Sequence, residues 1–148
     1  MSLEKLVAVS GKSGIFKMVG NRSNGLILQD LDTQKRIFAS SRLHQFTPLE
    51  SISIYTEDEN QQDETASLAM VFTNMIDNMD LYPPVSPKAS GLDIRQYFAK
   101  ILPNYDRDKV LVSDIKKIIK WFNYLTERNL ISRESLAPVA VEAGEEEE

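Results

Sequence analysis

The amino-acid sequence predicts an α+β protein: a small SH3-like β-barrel at the N-terminus, a small α-helical domain after it, and a disordered acidic tail. Two rhythms and one absence carry that reading. Up to Tyr55, short apolar runs are broken by turn residues about every eight to twelve positions, as in chains of short antiparallel strands. From Thr65 onward the apolar residues recur instead at spacings of three and four, the period of a helix with one buried face. The final stretch, APVAVEAGEEEE, has too little apolar surface to offset the entropy of ordering it.

Taken in order, the candidate strands are residues 5–9, 15–19, 26–31, 35–39 and 51–55. Gly11 and Gly14 bracket the first turn, Asn21 to Gly25 offers Asn and Gly residues that tolerate positive φ, and Asp32-Thr33 makes a tight third connection. Residues 1–58 are therefore assigned to the barrel. The run EDENQQDE at 57–64 is polar enough to be a connector. Leu68, Val71, Phe72, Met75, Ile76 and Met79 then share one face of a helix over residues 65–79, and that stripe needs a partner to cover it. Pro83, Pro84 and Pro87 make residues 81–90 extended, so 59–90 as a whole reads as acidic connector, amphipathic helix and Pro-rich linker.

Ser90 and Asp93 have capping-box spacing, and Ile94, Tyr97, Phe98, Ile101 and Leu102 continue at helical period until Pro103. A second helix starts at Ser113, with Ile115, Ile118, Ile119, Phe122 and Leu125 on its apolar face. Trp121 lies on the flank of that face, and Lys116, Lys117 and Lys120 project from the other side. A short turn is expected over 132–136, which closes a small helical domain at 91–136 and leaves 137–148 as the tail.

Three phrases stand out in this order: VAVSGKSGIFKMV at 7–19, LESISIYTEDE at 49–59 and LPNYDRDKVLVSDIKKIIKWFNYL at 102–125. Through them the chain resembles, over roughly residues 3–130, a family of small uncharacterised Bacteroidetes proteins known as domain of unknown function 5606. The resemblance implies an SH3-like barrel followed by a small helical domain. It implies no activity.

Charge is unevenly spread: +1 over residues 1–58, −4 over 59–91, +3 over 92–131 and −5 over 132–148, which together give the net −5. The acidity belongs to connector and tail, and neither folded part has the excess of a strong polyanion binder. With no cysteine there are no disulfides, thiolate metal sites, iron–sulfur clusters or cysteine nucleophile, in keeping with a reducing compartment. No apolar run approaches the ~18 residues that span a bilayer, and the N-terminus lacks a leader pattern, so a cytoplasmic protein with no membrane contact is expected.

Several motifs begin and do not complete. Gly11-Lys12-Ser13 ends like a phosphate-binding loop, yet Leu6 stands where its first glycine belongs and a strand pattern follows. Asp106, Asp108 and Asp114 suggest a calcium loop, but counting from Asp106 puts Leu111 at the turn-glycine position and Lys117 at the bidentate-glutamate position. The connection from Pro103 to Ser113 is too long for a helix-turn-helix, so Lys116, Lys117 and Lys120 read as the solvated side of a helix. His44 sits in SSRLHQFTP without a nucleophile elbow or oxyanion loop. Phe16, Phe38, Phe46 and Tyr55 suit a barrel core better than a base-stacking platform.

With one histidine, no cysteine and no carboxylate pair or glycine-rich loop, the usual routes to acid–base or nucleophilic catalysis are largely closed. The chain is expected not to be an enzyme and to have no catalytic residue, metal ligand or cofactor. A non-catalytic protein-interaction module with an unidentified protein partner is the leading expectation. The alternative is a weak nucleic-acid adaptor for RNA or single-stranded DNA, with Lys12, Arg22, Lys35 and Arg36 reaching phosphate from the barrel turns. Asp30, Asp32, Glu50 and Glu57 nearly cancel that charge, which places protein binding first.

Overall fold

The computed structural model describes residues 3–12, 14–57 and 63–136. The expected acidic tail, residues 137–148, lies outside the described residues, as does Ser13 of the GKS motif. Strands β1 (Leu6–Val9), β2 (Ile15–Arg22), β3 (Gly25–Asp30), β4 (Arg36–Ser40) and β5 (Phe46–Pro48) form one antiparallel sheet in the order β4-β3-β2-β1-β5. After a single 3-10 turn at Leu49–Ser51, β6 (Ser53–Glu57) and β7 (Asp63–Ser67) pair in a second sheet. Helices α1 (Leu68–Asp77), α2 (Gly91–Ile101), α3 (Val112–Glu127) and the short α4 (Arg133–Leu136) follow.

The α+β class holds, with two departures in the strands. The first sheet is not closed into a barrel, because β4 and β5 stand at opposite ends of the strand order. β5 has only three residues, and Pro48 has no N–H to give to a further neighbour. The second departure concerns the strand expected at 51–55. It forms as Ser53–Glu57 and pairs with β7, which takes the last two residues read as connector and the first three read as helix, while the fifth strand of the main sheet comes from the segment around His44.

Cross-strand pairs point to the same face, and the register therefore sorts the sheet into two sides. Val7, Val9, Leu28 and Ala39, joined by Phe16, Met18, Leu26 and Phe46, make a small cluster on one side. Leu6 and Ile15 point to the other side and enter the main core, which runs without a break from Leu3 through α1, α2 and α3 to Leu136. Phe72 of α1 meets Phe122 of α3 with ring centroids 5.7 Å apart, and Phe98 of α2 meets Tyr105 edge-on at 5.0 Å. Val85 and Ala89 of the Pro-rich segment also pack on this core.

Local chemistry explains the helix ends. The Ser67 hydroxyl accepts from the Met70 N–H and the Ser90 hydroxyl from the Asp93 N–H, each at 3.1 Å, satisfying donors that an N-terminal turn leaves open. Helix α3 starts one residue earlier than its expected start at Ser113. Leu111 precedes it without an acceptor of its own, and the Asp114 carboxylate reaches back to accept the Leu111 N–H at 3.0 Å.

Candidate functional site

A cleft of about 670 Å³ opens between the helix-facing side of the main sheet, strand β6 and helix α3. Each wall follows from a local rule. Ala8 pairs with Thr47, and Ser10 and Gln45 lie two residues further along the same strands, so all four present to one side of the sheet and line the cleft. On α3, Lys117, Lys120, Trp121 and Tyr124 are spaced three and four apart and form a single stripe beside the buried face of Ile115, Ile119 and Phe122. Ile52, Ile54, Val110 and Ile118 supply an aliphatic floor.

The third wall is held by the segment between α2 and α3. The Asp106 N–H donates to the Tyr55 carbonyl and the Glu57 N–H to the Asn104 carbonyl, both at 2.9 Å, so this loop is stitched to the edge of β6. The Asp106 carboxylate is buried and accepts the Asp108 and Lys109 N–H groups at 2.9 and 3.1 Å. That turn aims Lys109 over the ring of Tyr55, 5.1 Å from its centroid, and sets Val110 in the floor. Asp106, the first residue of the calcium-loop reading, is thus a turn-forming side chain.

Two contacts fix α3 against the sheet. Gly14 has φ +86, and a Cβ there would come within 3.0 Å of the Tyr124 ring, so glycine alone allows the β1–β2 turn to approach the helix this closely. At the far end of α3, Arg128 donates from Nε and Nη2 to the two carboxylate oxygens of Asp32 at 2.8 and 3.0 Å, and its guanidinium lies 3.6 Å from the centroid of the Tyr124 ring. Burial pushes the Tyr124 hydroxyl above its ordinary value, with Asp32 and Asp30 adding to the shift and Arg128 opposing it. Asp30 itself is held below the usual carboxylate range by the backbone N–H groups of Thr33 and Asp32, which it accepts at 2.9 and 2.8 Å.

The charges of the cleft are one-sided. Lys12, Lys109, Lys117 and Lys120 line it, against Asp114 as the one carboxylate of the lining among the described residues, and Asp114 accepts the Leu111 N–H. Among the described residues Lys12, Lys117 and Lys120 have no ion-pair partner. Trp121, the only tryptophan of the chain, is half-buried at the same wall.

Of the four residues assigned to the nucleic-acid alternative, Lys12 alone lines this cleft. Arg22 sits at the β2–β3 hairpin opposite Gly25, whereas Arg36 pairs with Gln29 and Lys35 precedes it at the other end of β3. Arg22 and the Lys35–Arg36 pair are thus separated by most of the length of a strand, and the four do not form one surface. Phe16 and Phe46 pack in the smaller cluster, while Phe38 and Tyr55 remain about half exposed on different sheets. The His44 Nδ1–H donates to the Ser10 carbonyl at 2.9 Å, which ties the segment before β5 to the end of β1.

Comparison with known proteins gives four findings. The family described as domain of unknown function DUF5606 matches residues 3–49, and the family described as domain of unknown function DUF6852 matches residues 52–125. The chain is similar to a protein from Bacteroides vulgatus whose solution NMR structure was determined by structural genomics, with 31% identity and a TM-score of 0.72 over 91% of this chain and 94% of that one. No curated protein matches it.

Proposed function

From a chain that belongs to the uncharacterised Bacteroidetes family in which a DUF5606 domain precedes a DUF6852 domain, we propose a non-catalytic protein-interaction module that binds its partner in the cleft between the sheet and α3. The observation that carries this reading is the pairing of an aliphatic floor, Ile52, Ile54, Val110 and Ile118, with a lysine rim. Binding sites for protein segments combine an apolar centre, which supplies affinity, with a polar rim, which orients the ligand. Among the described residues the lining offers no histidine, no cysteine and no pair of carboxylates, which argues against acid–base or nucleophilic chemistry there. Zero cysteines and the lack, among the described residues, of a helix long and apolar enough to cross a membrane support placing the module in the cytoplasm.

A second reading has one observation in its favour. Lys117, Lys120, Trp121 and Tyr124 interleave charge with aromatic rings, the combination that holds single-stranded nucleic acid. Titration with mixed-sequence single-stranded DNA and RNA separates the two. The module reading expects binding no tighter than about 0.1 mM at physiological salt, weaker than typical nonspecific binders. Low-micromolar binding that collapses between about 50 and 200 mM salt would replace it with the nucleic-acid reading.

A further inference from the structure

We infer that the cleft is built for an acidic, extended peptide segment that places an aliphatic side chain on the floor between the lysines. This rests on the protein-binding reading and adds the chemistry of the ligand to it. A chain with net charge −5 has gathered four lysines around one concave surface, where Asp114 is the lone carboxylate among the described residues and accepts the Leu111 N–H at the helix start. Like charges that line one cleft repel, and Lys12, Lys117 and Lys120 have no ion-pair partner among the described residues. A ligand with carboxylates spaced along it supplies a counter-charge.

The floor decides between kinds of anion. Ile52, Ile54, Val110 and Ile118 are aliphatic, and they match a leucine or valine side chain better than the flat face of a base. The size fits a short segment of chain rather than a folded domain, since about 670 Å³ lies in the range of pockets that enclose small ligands. The walls come from β1, β5, β6 and α3, elements pinned by Gly14 against Tyr124 and by Arg128 on Asp32, so the surface is formed before the ligand arrives.

Trp121 gives the test its readout, because the only tryptophan stands at the wall of the cleft. The full chain is titrated with three tryptophan-free twelve-residue peptides of one design, two valines flanked by glutamates, by serines or by lysines. The expected result is a shift in Trp121 emission with the glutamate peptide, at an affinity at least about tenfold above the serine peptide, as three exposed charge contacts together allow. The lysine peptide is expected not to bind. Replacing Lys117→Glu and Lys120→Glu together removes the glutamate preference while the unfolding midpoint stays in place, since both side chains are exposed. A serine peptide that binds in the cleft as well as the glutamate peptide overturns the inference and leaves the protein-binding reading standing. The absence of any emission shift up to millimolar glutamate peptide also overturns it. A single-stranded oligonucleotide that displaces the glutamate peptide and binds more tightly overturns both.

Discussion

Replacing Phe122→Ala tests whether sheet and helices share one cooperative core. Phe122 is fully buried in the middle of α3 and its ring meets Phe72 of α1 at 5.7 Å. A phenylalanine-to-alanine change in such a site costs about 3–5 kcal/mol, which includes the cavity left behind and the lost ring contact. Against a total of about 5–15 kcal/mol for a domain, that is a fifth of the stability or more. For a chain of this size each kcal/mol lowers the melting temperature by roughly 4 °C, so the midpoint should fall by about 12–20 °C. The assay is thermal unfolding read by Trp121 fluorescence, together with amide exchange of β2. Ile15 joins the main core from β2, so the exchange protection of that strand should fall with the melting temperature. Unchanged protection in β2 while α2 and α3 lose theirs would refute the shared core and restore two independent parts.

Three further outcomes are expected. The Tyr97 hydroxyl is buried without a hydrogen-bond partner among the described residues, so Tyr97→Phe should match or exceed wild-type stability by up to about 1 kcal/mol in a denaturant titration. Burial raises the Tyr97 hydroxyl above its ordinary value of 10.0, and its contribution is full below that value and lost as pH rises past it; the wild-type protein should therefore lose stability faster above about pH 10 than the phenylalanine variant. Arg128→Ala breaks a bidentate but partly exposed link from α3 to the β3–β4 turn and should lower the melting temperature slightly at low salt and less at high salt, in paired melts at two ionic strengths. Gly14→Ala combines a strained positive φ with a 3.0 Å approach to Tyr124 and should cost more than about 1 kcal/mol while shifting Trp121 emission, since the β1–β2 turn must withdraw from α3.

Much of the architecture was legible because local chemistry and tertiary packing agree. The helical stripes from Leu68 to Leu125 are the buried faces, except that α1 ends at Asp77 rather than at Met79, which is exposed, and Ser90 caps α2 as its spacing with Asp93 implies. Strand β7 was not legible. Its sequence DETAS has no alternation of apolar residues, and it is a strand because β6 needs a partner and Ala66 fills the core. Strand β5 was hidden for a related reason: three residues beside His44 carry no periodic signal, and the hydrogen bonds around Ser10 define them. The cleft was not in view: Lys117 and Lys120 read as the solvated side of α3 and Trp121 as the flank of its apolar face, although with Tyr124 they stand three and four apart. The opposite walls come from Thr47, Tyr55 and Lys109, which are distant in the chain, and no local pattern joins them.

The most direct measurement on the central claim, that the cleft is the surface through which this protein binds another, is site-specific photo-crosslinking in native cells. A photoreactive residue at Thr47, an exposed position on the lip of the cleft, is compared with one at Lys35, exposed in the β3–β4 turn. The Thr47 position should give a protease-sensitive, nuclease-resistant adduct that disappears when Lys117→Glu and Lys120→Glu are added, and the Lys35 position should give none. Adducts formed from Lys35 alone, or a nuclease-sensitive adduct at Thr47, would contradict it.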